Sequence, residues 1–203
     1  MINAARPAVD TGRSKEEIMS RNRLVMSVIA VVGLTAIGII LAAEAPPVAP
    51  KPGPEHAKLA FFVGKWTGEA DMKATPFGPA GKITSNDDCQ WFEGKFAVVC
   101  HQGGKSPMGP TKGLGIMSYS PEERVYTYYG VDNTGMVSTT VAKGTLTGDT
   151  WVYTDEFKMG LRTIKSRYTI KMVPPDAYHF TWEMMGEDGK WTTVVDGRNV
   201  RAK

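Results

Sequence analysis

Thr163-Ile164-Lys165-Ser166-Arg167-Tyr168-Thr169-Ile170-Lys171-Met172 runs in a strict two-residue rhythm. Ile164, Ser166, Tyr168, Ile170 and Met172 fall on one side of an extended chain, and Thr163, Lys165, Arg167, Thr169 and Lys171 fall on the other. A helix would bring side chains back to one face about every 3.6 residues, so this stretch reads as a strand with one dry and one wet face. The beat recurs on both sides of it. Trp66, Gly68, Ala70 and Met72 alternate with Thr67, Glu69 and Asp71, while Tyr178, Phe180, Trp182 and Met184 alternate with His179, Thr181 and Glu183.

Turn formers separate the alternating runs: Glu93-Gly94, Ser120-Pro121-Glu122, Asn133-Thr134-Gly135, Thr147-Gly148-Asp149, Pro174-Pro175-Asp176 and Glu187-Asp188-Gly189. Counting runs between them predicts about ten antiparallel strands joined mostly by tight hairpins. An all-β chain of this kind forms a sandwich or an up-and-down barrel. Sandwiches use longer crossovers, for which the chain has little room, so the barrel is the expectation. One helix is predicted ahead of the strands, over Pro54 to Val63. Pro54 suits its first turn, Glu55 its positive end, and Leu59, Phe62 and Val63 share a face. Gly64-Lys65-Trp66-Thr67-Gly68 follows, placing a Trp at the start of the first strand.

The chain before residue 46 is different material. Leu24 to Ala43 is an uncharged run of 20 residues behind Lys15, Arg21 and Arg23. A basic segment followed by an apolar one directs export. Residues 1–45 therefore read as an export signal or a membrane anchor. Ala43-Glu44-Ala45 has the form of a cleavage site, and Pro46 opposes cutting there. If uncut, the run is a transmembrane helix and the protein meets the membrane through it; Met19 as the true start favours a cleaved signal. Either way the remainder lies outside the cytoplasm, periplasmic or anchored to the inner membrane and facing the periplasm. Residues 46–53 form a Pro-rich tether, and 54–203 a single domain with enough chain for one core.

From Pro46 onward nineteen Lys/Arg face seventeen Asp/Glu, a net charge of +2 with the basic residues scattered along the strands. No stripe tracks a phosphate backbone, so nucleic acid is not an expected partner. Gly103-Gly104-Lys105-Ser106 contains the Gly-Lys-Ser of a phosphate loop, yet Val99 stands where the motif needs Gly, and Pro107 and Pro110 forbid the helix it must open. Gln102 to Gly115 reads instead as a long loop. Gly-x-Ser-x-Gly is absent, His56, His101 and His179 are scattered, and no metal or other cofactor is implied. The chain reads more as a binder than as an enzyme. Asp87 and Asp155 are the carboxylates that register could bury, and a desolvated carboxylate is a functional candidate.

Cys89 and Cys100 are the only cysteines. A four-residue loop from Glu93 to Phe96 sets them opposite each other, within disulfide reach, and an exported domain favours oxidation. The other reading is a pair of free buried thiols. A loop one residue shorter would turn the two side chains to opposite faces.

The dry face is aromatic. Trp91, Tyr128, Tyr153, Tyr168, Phe180 and Trp182, with Ser166, are the candidate lining of a lumen for a small hydrophobic ligand. Tyr hydroxyls in an interior need partners, which a cavity with water or ligand supplies. A filled core with hydroxyls at the barrel mouth is the alternative, and a cavity above roughly 300 Å³ distinguishes the two.

The helix followed by Gly64-Lys65-Trp66-Thr67-Gly68, the hairpin-linked strands and an Arg near the C-terminus resemble the calycins, the lipocalin-like barrel group. Cys89-Gln90-Trp91-Phe92-Glu93-Gly94, Val98-Val99-Cys100, Pro107-Met108-Gly109-Pro110, Gly113-Leu114-Gly115 and Tyr126-Thr127-Tyr128-Tyr129-Gly130-Val131-Asp132 resemble the bacterial domain-of-unknown-function family numbered 1579. The resemblance implies a calycin barrel and export, with no established reaction. It also implies that Trp66 packs at the closed end with Arg201 across its indole. A haem barrel similar to nitrobindin shares the Gly-x-Trp-x-Gly start and would require an inward His; an envelope enzyme using the same lumen is a further alternative.

Overall fold

The protein is described from a computed structural model covering residues 49–76, 78–134, 140–159, 161–173 and 175–203. A short helix, α1 (Pro54–Lys58), runs on as a 3-10 turn (Leu59–Phe62). Ten strands follow: β1 (Gly64–Met72), β2 (Gly81–Trp91), β3 (Ala97–Ser106), β4 (Gly109–Ser120), β5 (Val125–Asp132), β6 (Ala142–Thr147), β7 (Thr150–Met159), β8 (Arg162–Val173), β9 (Ala177–Met185) and β10 (Trp191–Arg201). Each pairs antiparallel with its sequence neighbour, and β1 pairs with β10, so the sheet closes into an up-and-down barrel. The closing register runs from Trp66 opposite Arg201 to Met72 opposite Val195.

The alternation read from the sequence fixes which side faces in. In β8, Ser166 and Ile170 are buried, while Lys165 and Lys171 are exposed. Such register is strongly specified, because a slip of one residue would bring the lysines of β8 into the core. The predicted helix is real but tightens after Lys58 into the 3-10 turn, which ends at Val63 in extended backbone. Gly64 takes the turn into β1 with φ at +125°, and a Cβ there would meet Arg201 Nη1 at 2.6 Å. No other residue suits that place.

The helical segment plugs one end of the barrel. Leu59 and Phe62 pack with Trp66, Val98, Tyr126 and Trp151, and Leu59, Val98 and Trp151 are wholly buried. Burying a Leu- or Phe-sized side chain stabilises by roughly 1.5–3 kcal/mol, so this plug holds much of the fold together. Trp66 Nε1 donates to the Phe62 carbonyl at 2.8 Å, tying the plug to β1. A second cluster, Ala70, Phe157, Met184, Val194 and Val195, lies farther along the interior.

Two expectations are corrected. Gln102 to Gly115 is not a long loop: β3 and β4 run through it as a hairpin with Ser106 opposite Gly109. Gly104 serves close approach rather than freedom, since a Cβ on it would sit 1.9 Å from the Thr84 carbonyl oxygen of β2. The expected transmembrane helix, and the membrane partnership through it, is likewise not supported. Among the described residues no helix is long and apolar enough to cross a membrane, and the one N-terminal helical segment is the short plug at Pro54–Phe62. The apolar run at 24–43 lies outside the described residues.

Candidate functional site

Inside the barrel lies a cavity of about 390 Å³. It begins above the plug, at Phe62 and Trp66, and reaches the exposed Val131 and Asp132 at the end of β5. Its volume falls in the range of small-molecule sites, roughly 300–1,000 Å³. Apolar and aromatic side chains make most of the wall, and a smaller set of polar groups interrupts it.

Of the residues expected to line a lumen, Tyr128, Tyr153, Ser166, Tyr168 and Trp182 do so. Trp91 and Phe180 pack against the buried core without lining the cavity. Trp91 ends β2, opposite Val98 of the plug cluster. Phe180 lies over Gly197 of β10, where a Cβ would come within 2.7 Å of its Cζ, and its ring sits 5.6 Å from that of Tyr168. Facing inward does not determine depth along the barrel axis.

The polar wall is built around Asp87. It stands on β2, opposite Trp66 of β1 on one side and Gln102 of β3 on the other. Asn199 of β10 donates from Nδ2 to Asp87 at 3.4 Å and to the Tyr178 hydroxyl at 2.7 Å. Burial pushes the Asp87 carboxyl up to about 6, with the Asn199 hydrogen bond acting the other way. Gln102 hydrogen-bonds the Tyr128 phenol, which burial raises to about 12. Burial also raises Tyr153, Tyr168 and Tyr178, so these phenols stay protonated near neutral pH. On β7, Asp155 accepts a hydrogen bond from Ser166 Oγ, its cross-strand partner on β8. The Tyr153 hydroxyl is buried with no hydrogen-bond partner.

Asp87 and Asp155 are the two carboxylates that the sequence marks for possible burial. Gln102, Tyr178 and Asn199 were not marked. Tyr178 carries the signal, as the first inward member of the run through Phe180 and Trp182. Gln102 falls in the stretch read as a loop, and Asn199 lies between two arginines that blur the alternation.

Cys89 and Cys100 stand directly opposite each other and are joined in a disulfide whose residues line the cavity beside Asp87. At the plugged end, Arg201 lies over the Trp66 indole at 4.3 Å from the ring centroid. It donates from Nη1 to the Val63 carbonyl at 2.6 Å and from Nη2 to that of Phe61 at 3.1 Å. A haem does not fit this lumen. His101 and His179 are exposed, and His56 is buried in the plug against Phe96 and Tyr119, so no His lines the cavity. The phenols are a poor substitute, because ligation needs the phenolate that burial disfavours.

A plugged ten-stranded antiparallel barrel around a lumen is a calycin-like protein. The chain belongs to the family described as Protein of unknown function (DUF1579), whose pattern matches residues 51–201. No curated protein matches the chain by sequence. Among solved structures, Rv2717c from M. tuberculosis is similar with a TM-score of 0.54 at 13% identity, over 74% of this chain and 99% of that one. The S-type phycobiliprotein lyase CPES from Guillardia theta is similar with a TM-score of 0.51 at 17% identity, over 73% and 93% respectively. At such identities the likeness is one of fold.

Proposed function

We propose that this is an exported, non-enzymatic barrel that binds one small amphipathic ligand in its lumen. The observation that carries the reading is the cavity itself: about 390 Å³, walled mainly by apolar and aromatic side chains and reaching the surface beside Asp132. A core built only for packing leaves few voids larger than a water molecule. The basic segment and apolar run before residue 46, with the Cys89–Cys100 disulfide, support an oxidising compartment outside the cytoplasm.

An environment-sensitive hydrophobic dye should titrate to saturation at one site and be displaced by extracted lipids. Ala142 lines the cavity opposite Tyr128, so Ala142→Phe should fill part of it and abolish saturable binding while leaving the strand circular-dichroism signal unchanged. Dye binding that never saturates, or that persists in a correctly folded Ala142→Phe variant, overturns the reading. Catalysis is the second reading, favoured by one observation: Asp87 has an acidity near the range useful for proton transfer. It requires that a ligand added to the protein be recovered chemically changed.

A further inference from the structure

We propose that the ligand of the lumen carries a neutral carbonyl oxygen on an apolar body, and that this oxygen accepts a hydrogen bond from the Tyr153 hydroxyl. The inference rests on the lumen-binding reading above and names the polar group of what binds. Tyr153 stands on β7, lines the cavity and is 4% exposed. Its hydroxyl has no hydrogen-bond partner within the protein. Interiors pair nearly all of their buried polar atoms, because an unpaired one destabilises the fold. Among the described residues the buried side-chain atoms left unpaired are Trp151 Nε1, Asn199 Oδ1 and the Tyr153 hydroxyl, and only Tyr153 lines the cavity.

The wall beside it is cut back to leave the space open. Gly144 of β6 pairs with Tyr153, and a Cβ there would come within 2.5 Å of the ring. On β5, a Cβ on Gly130 would meet the Tyr128 hydroxyl at 2.8 Å. Both rings therefore lie close against backbone that carries no side chain, and the lumen in front of them is not filled. The Tyr128 ring is 6.3 Å from that of Tyr153, and Tyr168 is the cross-strand partner of Tyr153 on β8. Burial keeps all three phenols protonated, so this wall is a cluster of O–H donors. Gln102 already hydrogen-bonds Tyr128. Tyr153 has no such neighbour.

A phenol gives its hydrogen more readily than it shares its lone pairs, which the ring draws on, so its best complement is an oxygen that only accepts. A carbonyl is such a group. An anionic acceptor fits less well. Among the described lining residues there is no Lys, Arg or His to pair with it. Asp87 on the far side of the barrel is ionised near neutral pH even after burial has raised it to about 6, and would repel it. A neutral carbonyl meets the donor, and the rest of the molecule meets the apolar and aromatic wall.

Two neutral probes of one shape test this: methyl hexyl ketone, and the hydrocarbon in which a methylene replaces its carbonyl oxygen. Each is titrated against the bound hydrophobic dye in the native protein and in Tyr153→Phe. The variant should bind the ketone about tenfold more weakly and the hydrocarbon equally well. The infrared carbonyl stretch of the bound ketone should lie below its position in hexane, and Tyr153→Phe should move it back. The variant should melt at or above the native temperature, because the lost hydroxyl leaves no protein group unpaired. A lower melting temperature would reveal a partner within the protein and overturn the proposal. An unchanged ketone affinity, or equal losses for both probes, overturns the acceptor and leaves lumen binding standing. Octanoate displacing the dye better than the ketone overturns its neutrality. Failure of the dye itself to saturate overturns the lumen reading, and the carbonyl with it.

Discussion

Replacing Arg201 with Ala should destabilise the plugged end severely. Its guanidinium donates to the carbonyls of Val63 and Phe61, stacks on Trp66, and pairs with Asp176 at 3.1 Å. Each hydrogen bond from the charged group to a carbonyl contributes about 1.5 kcal/mol at the low end of the usual range. The cation–π contact adds about 1 kcal/mol. The Asp176 pair adds about 0.5 kcal/mol, since the Asp176 side chain is 62% exposed and solvent screens it. The loss should therefore be about 4.5 kcal/mol, a large part of the roughly 5–15 kcal/mol that holds a domain folded. Urea unfolding followed by Trp fluorescence reads this directly, and the melting temperature should fall by roughly 10 °C. Arg201→Lys should recover only part of it, because an ammonium lacks the fork that reaches two carbonyls. A loss below about 1 kcal/mol for Arg201→Ala would refute the reasoning, showing that the plug is held without this side chain.

Asp87→Asn should make the ligand-free protein more stable near neutral pH, by up to about 3 kcal/mol. Burial raises Asp87 from 3.8 to about 6, so the folded state holds its proton more tightly and stability falls as pH rises through that interval. The gain should vanish below about pH 4, and equal unfolding curves for the two proteins at neutral pH would count against a buried carboxylate. Removing the disulfide with Cys89→Ser/Cys100→Ser should lower stability by roughly 2–3 kcal/mol, as expected for a bridge closing a short loop. A thermal melt unchanged in the double serine variant would deny the bridge that role. Gly104→Ala should destabilise by roughly 2–4 kcal/mol, because its Cβ would meet the Thr84 backbone. A neutral result would restore Gln102 to Gly115 as a loop free to yield.

The strands were legible because their faces differ so sharply in solvent. Ile164 to Met172 states its register outright, and the hairpin turns leave one economical way to connect such strands. The inward direction of Tyr128, Tyr153, Ser166, Tyr168 and Trp182 followed from that parity. Parity gives a face, however, and not a height, which is why Trp91 and Phe180 share the inward side yet pack beside the cavity. Glycine misled in the opposite way. Gly103 and Gly104 look like loop material in one dimension, and only the neighbouring backbone of β2 shows that Gly104 makes room for a second strand. The polar wall depends on partners far apart in the chain: Asn199 reaches Asp87 across 112 positions. Local pattern holds no record of such a meeting.

The pairing of β1 with β10 joins Trp66 to Arg201, residues separated by 135 positions. While the chain is being made, β1 therefore waits unpartnered on one side until nearly all that follows has left the ribosome. No subset of hairpins can complete the architecture, so final folding is a post-synthetic event. A premature stop ahead of β10 would yield no smaller working barrel, only a ribbon with two sticky margins for proteases and chaperones to clear.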